Sequence, residues 1–110
     1  MRTIILLMDS FGIGYAHDAE KYGDKGADTL GHICEWFAKN RKDAEGKAKP
    51  LYLPNLAARG LAKAAELGHD CPLPASLGAE HSLGANTYAQ EVSRGKDTLS
   101  GHWEIAGVPV

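Results

Sequence analysis

Thr3-Ile4-Ile5-Leu6-Leu7-Met8 is an uncharged, nearly all-apolar run, and Asp9 follows it directly. The run shows no alternation of apolar and polar positions. It therefore predicts a strand buried on both faces rather than one half open to water. Strands covered on both faces belong to parallel sheets, where crossover helices pack on each side. The run points to an α/β fold with a mostly parallel sheet flanked by helices. Open α/β sheets carry their sites at the carboxyl ends of the strands, which is where Asp9 falls. Its carboxylate has two readings, a turn or cap group or a metal ligand.

A second stretch constrains the other end of the chain: Gly95-Lys96-Asp97-Thr98-Leu99-Ser100-Gly101-His102-Trp103-Glu104. It reads as a polar loop entering a short helix. Asp97 or Thr98 can serve as the N-cap, because an oxygen there satisfies a free backbone N–H. Ile105 and Ala106 continue the helix, and Gly107 and Pro109 stop it. A hydroxyl at such a position is either a cap or a nucleophile. A helix start presents N–H groups and partial positive charge, a setting that receives a phosphate well. A threonine hydroxyl is protonated at neutral pH, so nucleophilic use requires a base or a metal ion. His102 lies one turn after Thr98 and reads as a structural hydrogen-bonding residue, and Trp103 as core.

Between these ends the chain alternates loops and short helices. Gly12 and Gly14 allow a tight turn after the first strand. The third position of a dinucleotide fingerprint would fall on His17, so that reading is disfavoured. Residues 15–27 are polar and glycine-containing, a loop at the sheet's carboxyl edge. Leu30, Ile33, Cys34 and Phe37 recur at helical spacing, with Asp28 or Thr29 as cap. His32 beside that face reads as a hydrogen-bonded structural residue, and Cys34 as a small core hydrophobe. Residues 41–50 are charged and form a surface loop or helix extension. Leu53-Pro54-Asn55-Leu56 opens a second helix, with Pro54 in its first turn and Gly60 interrupting it. Residues 61–67 supply an apolar, alanine-rich segment. Residues 69–83 read as loop, with His69 and His81 at the surface. Ala85, Thr87 and Ala89 alternate with Asn86, Tyr88 and Gln90, which predicts a second short strand.

A net charge of −2 argues against non-specific nucleic-acid binding. The cluster Lys39-Asn40-Arg41-Lys42 reads as a solvated helix end. Cys34 and Cys71 form no Cys-x-x-Cys pair, so neither a zinc ribbon nor a redox motif is indicated. No stretch approaches the ~20 apolar residues that span a bilayer. The first apolar run is too short for a signal peptide, and a cytoplasmic location is expected. At 110 residues, the chain is one small domain or a piece of a larger one.

Four blocks together resemble the amino-terminal part of the phosphopentomutase family, within the alkaline phosphatase superfamily of metalloenzymes. They are Asp9-Ser10-Phe11-Gly12-Ile13-Gly14, Asp28-Thr29-Leu30-Gly31-His32-Ile33, Leu53-Pro54-Asn55-Leu56, and the Gly95-to-Glu104 stretch continued by Ile105-Ala106-Gly107. They fall in the family's order and span nearly the whole chain, and the last is the most specific.

The resemblance implies that Thr98 carries the phosphoryl group and also touches the metals. It implies that Asp9 binds one of two divalent metals, usually manganese. The implied reaction interconverts ribose 1-phosphate and ribose 5-phosphate, and the 2-deoxyribose pair. A pentose phosphate is then the substrate, and glucose 1,6-bisphosphate the activator. In the family the remaining metal ligands and the cap domain lie beyond the position matching Val110. Residues 1–110 are thus expected to be the amino-terminal part of an incomplete metal-binding core, inactive alone and prone to self-association through uncovered apolar edges. Two other readings stay open. One is a different phosphoryl-transfer enzyme of the superfamily, such as a phosphatase or a cofactor-independent phosphoglycerate mutase. The other is a non-enzymatic module that keeps these segments as fold elements.

Overall fold

The structure is a computed structural model that describes residues 1–69, 77–78 and 82–110. Four α-helices appear in it: α1 (Thr29–Asn40), α2 (Pro54–Ala58), α3 (Leu61–His69) and α4 (Thr98–Ile105). A 3-10 turn, Ala19–Tyr22, lies in the loop before α1. Cys71, His81 and most of the segment read as loop around them lie outside the described residues.

Helix α1 forms where the apolar spacing places it. Asp28 is its N-cap, accepting the Gly31 N–H at 3.0 Å, which satisfies one of the free donors of the first turn. A second is taken by the Gly12 carbonyl, which accepts from Leu30 at 3.1 Å. That bond ties the start of α1 to the loop that follows Asp9. Leu30 and Cys34, one turn apart, are fully buried. They pack with Ala57 of α2, Ala65 of α3 and Leu77, and Phe11, Ile13, Leu53 and Leu61 close around them. Cys34 is the core hydrophobe expected; burial first, and then the charge of Asp28, push its thiol pKa up and keep it protonated.

Pro54 occupies the first turn of α2 as expected. There its missing N–H costs nothing, because that donor would be free anyway. Gly60 separates α2 from α3. Its φ of 98° lies in the left-handed region, and a Cβ there would stand 2.7 Å from Asn86 Cβ, so both conformation and space call for glycine. Residues 41–50 form an exposed turn in which Asp43 accepts the N–H groups of Glu45 and Lys47. A single antiparallel bridge, Lys42 to Ala48, closes it.

The two predicted strands are not formed as strands. Residues 3–8 make no ladder among the described residues, and they are exposed rather than buried on both faces: Ile5 is 71% and Leu6 91% accessible. Residues 85–90 are likewise without a ladder. A strand is covered on both faces only by neighbouring strands and crossover helices. Among the described residues none flanks the first run, so no parallel sheet is present there. Trp103, expected in the core, is 52% exposed, because no other helix or strand among the described residues covers it. His32 is also exposed, and its ring makes no hydrogen bond among the described residues. No helix is long and apolar enough to cross a membrane among the described residues.

Candidate functional site

The loop entering α4 is built almost entirely from side chain–backbone bonds. Asp97, with extended backbone (φ −113°, ψ 166°), is the N-cap. Its Oδ1 accepts the Ser100 N–H at 2.9 Å, and its Oδ2 accepts the Ser100 hydroxyl at 3.1 Å. These bonds stabilise the ionised carboxylate and hold its pKa below the usual range. Asp97, not Thr98, is therefore the cap. Thr98 is left as the first helical residue, exposed, with a hydroxyl that makes no hydrogen bond among the described residues.

Further along α4, Glu104 reaches back to the chain ahead of the loop. Its two oxygens accept the N–H groups of Val92 and Ser93, each at 2.8 Å. Hydrogen bonding from Ser93 and Val92 lowers its pKa. The buried Ser93 hydroxyl in turn accepts the Val110 N–H at 2.9 Å. His102 Nδ1 donates to the Thr98 carbonyl at 2.7 Å, the structural role expected of it. Lys96, Asp97, Ser100 and Glu104 are thus committed to holding the loop, while the Thr98 hydroxyl makes no hydrogen bond among the described residues.

Lys96 anchors the same loop to the segment after Asp9. Its Nζ lies 3.1 Å from Glu91 and 3.4 Å from Asp18, and it donates to the Ser93 carbonyl at 3.0 Å. It also stands over the Tyr22 ring, 5.3 Å from the centroid. Burial pushes its pKa down, but the hydrogen bonds and charges of Glu91 and Asp18 outweigh this and raise it above the ordinary lysine value. Two neighbouring bonds run across the same junction. Tyr22 donates to the Arg94 carbonyl at 3.2 Å, and His17 Nδ1 donates to Gln90 at 3.2 Å. Asp18, Tyr22, Glu91 and Glu104 were not singled out by sequence reasoning. A Glu at Thr98 plus six was the one visible signal, and its target on residues 92 and 93 is a matter of tertiary structure.

Asp9 sits in an exposed turn at the end of the apolar run. Ser10 follows with a φ of 55°, left-handed backbone uncommon for a residue with a Cβ. The Asp9 carboxylate makes no hydrogen bond or ion pair among the described residues, and no contact joins it to Thr98 there. Beyond it, an open cleft of about 470 Å³ runs between residues 11–16 and residues 88–91. Its walls bring the Asp9 loop alongside the segment that leads into the Thr98 loop.

Asp9 and Thr98 each carry an oxygen donor of the kind that hard divalent cations accept. The set is incomplete: no three His, Cys, Asp or Glu side chains gather as a metal site among the described residues.

The model of the metalloenzyme superfamily matches residues 1–102, nearly the whole chain. The chain belongs to the metalloenzyme superfamily. That membership bears out the alkaline-phosphatase-like fold family expected from the sequence. The chain is also similar to curated phosphopentomutases, as the four sequence blocks implied. It is 56% identical over 110 residues to the phosphopentomutase of Proteus mirabilis (strain HI4320), covering 99% of this chain and 27% of that protein. It is 58% identical over 111 residues to that of Sodalis glossinidius (strain morsitans), covering 99% of this chain and 26% of the relative. It is 55% identical over 109 residues to that of Erwinia tasmaniensis, again covering 99% and 26%. The chain spans about a quarter of the length of the curated relatives it matches. No solved structure matches it.

Proposed function

We propose that residues 1–110 are the amino-terminal part of a phosphopentomutase core domain. In that enzyme Thr98 accepts and returns the phosphoryl group. One observation carries this reading: the loop commits Lys96, Asp97, Ser100 and Glu104 to internal bonds and leaves the Thr98 hydroxyl exposed and unbonded at the first turn of α4. A residue kept only as a cap would use its oxygen on the backbone, and here Asp97 does so instead. The similarity to phosphopentomutases over 99% of the chain supports the choice of substrate class.

On this reading the parent protein is a cytoplasmic isomerase of ribose and 2-deoxyribose phosphates, with no nucleic acid or membrane as partner. Phosphorylated Thr98 gives its phosphoryl group to the free hydroxyl of a pentose monophosphate: the Oγ–P bond breaks as the sugar O–P bond forms. The resulting bisphosphate returns its other phosphoryl group to Thr98 and leaves as the isomer. Glucose 1,6-bisphosphate first charges Thr98. The positive end of the α4 dipole, at Thr98, favours the anionic oxygens. Asp9 and Thr98 would supply two donors of a two-manganese site, completed by ligands from sequence outside these residues. Bound metals would neutralise phosphate charge and lower the pKa of the threonine hydroxyl. The run at residues 3–8 becomes a strand of the parallel sheet once its neighbours flank it.

The test uses the protein encoded by the full reading frame that contains this chain. Treated with glucose 1,6-bisphosphate and manganese, it should gain phosphate on the peptide carrying Thr98 and convert ribose 1-phosphate to ribose 5-phosphate. Thr98→Ala should lose the label and at least about a thousandfold in rate. Absence of both activity and label overturns the reading. Hydrolysis of the sugar phosphate in place of isomerisation would make the protein another phosphoryl-transfer enzyme of the superfamily.

A further inference from the structure

A lysine two residues before a phosphoryl acceptor suggests a cation for the phosphate. Here the ammonium is already fully engaged. Its side chain is 21% exposed and meets the Asp18 side chain, 17% exposed, as well as Glu91, the Ser93 carbonyl and the Tyr22 ring. An ammonium has three N–H donors, and three oxygens lie within reach of it. Asp18 depends on this contact. Its Oδ2 faces Lys96 while its Oδ1 is buried without a hydrogen-bond partner among the described residues. Asp18 lies in the loop after Asp9, Glu91 in the segment leading to Thr98, and Lys96 in the Thr98 loop itself. One ammonium therefore joins the two segments that carry the candidate residues.

We propose that Lys96 is a positioning residue that latches the Thr98 loop to the Asp9 loop through Asp18 and Glu91, and that it does not contact the transferred phosphate. The inference rests on the reading of Thr98 as phosphoryl acceptor for its catalytic consequence, but the latch itself is independent of that reading. Without the ammonium, two partly buried carboxylates would lose the cation they share. Breaking one side of such a cluster costs more than removing all of its charges together. Loss of Lys96 should thus be relieved when Asp18 and Glu91 are neutralised as well. A phosphate-binding lysine would show no such relief.

Hydrogen exchange of the chain separates the two roles without needing activity. K96M should speed exchange of residues 17–22 and residues 91–100 together by at least about tenfold. K96R should retain protection in both. The triple variant K96M/D18N/E91Q should regain most of it. Unchanged exchange in K96M, or loss in one segment alone, overturns the latch. If K96M also exposes α1, the triple variant decides: recovery supports the latch, and none overturns it. In the full-length enzyme, K96M should lower kcat with KM unchanged, and the triple variant should recover part of the rate. A raised KM at unchanged kcat would instead make Lys96 a substrate-binding residue. If the full-length enzyme has no mutase activity while the exchange pattern holds, Thr98's assignment fails and the latch stands.

Discussion

Gly95 lies against the side chain of Ser100 with no room for a methyl group. A Cβ on Gly95 would stand 2.9 Å from Ser100 Cβ and collide with its hydroxyl oxygen. That hydroxyl cannot turn away freely, because it is buried and donates to Asp97. The glycine is therefore part of the mechanism that shapes the loop: it lets Ser100 approach, Ser100 fixes Asp97, and Asp97 leaves Thr98 free.

Gly95→Ala should destabilise the fold by about 1–3 kcal/mol, the range for forced overpacking. The double variant G95A/S100A removes the colliding oxygen, so it should be less destabilised than the sum of the single variants. Denaturant unfolding of all four proteins in a double-mutant cycle measures the coupling. Strict additivity would show that the close approach has no energetic consequence.

Asp97 and Glu104 give the loop an acid limit. Both carboxyl groups have folded pKa values below their ordinary ones: Asp97 because Ser100 donates to it twice, Glu104 because Ser93 and Val92 do. A depressed folded pKa contributes stability that is complete above the unfolded value of about 4 and is lost as pH falls through the folded value. The melting temperature should thus be level near neutrality and fall below about pH 4. D97N and E104Q should each lower stability near neutrality and flatten that acid limb. A melting profile in which both variants keep the full acid slope would contradict the assignment of these carboxylates.

The helical parts of this arrangement were legible because their causes are local. Asp28 caps α1 three residues before the N–H it accepts, Leu30 and Cys34 share one face, and Pro54 marks the start of α2. The loop-to-helix form of the Thr98 stretch was readable for the same reason. What sequence could not yield is held by long-range bonds. Lys96 meets Asp18 from 78 positions away, and Glu104 takes up the Val92 and Ser93 N–H groups that face it only after α4 has docked. Residues 3–8 and Trp103 are exposed here because apolar sequence states a need for partners without supplying them. Asp9 and Thr98 were singled out by position and resemblance, and their roles remain part of the proposal.

Metal provides a direct check on how much of the site these residues contain. Asp9 and Thr98 are two oxygen donors, and no cluster of three ligating side chains forms among the described residues. A cation that binds only the folded state raises the melting temperature according to its concentration over Kd. The 110-residue chain should therefore melt within about 1 °C of the same temperature with and without manganese, and show no mutase activity. A saturable upward shift that Asp9→Asn abolishes would show instead that these residues complete a site.

The uncovered apolar run predicts how the chain behaves in solution. Ile4, Ile5, Leu6 and Leu7 are exposed in sequence, and Leu99 and Trp103, one turn apart, add a second apolar area on α4. A run that is extended, apolar and unpaired presents both greasy side chains and free backbone donors and acceptors, the combination that recruits another chain. The 110-residue chain should therefore self-associate, with light-scattering mass rising with concentration. Ile5 and Leu7 lie two apart, on one face of an extended segment. Ile5→Lys with Leu7→Lys should place like charges on that face and shift the population toward monomer. The helices should be unaffected, because neither residue belongs to the Leu30–Cys34 core. A monodisperse wild-type monomer at all concentrations would show that the run is tolerated in water. The strand proposed for the complete enzyme would then lack the driving force assigned to it, since burial of these side chains is what that driving force consists of.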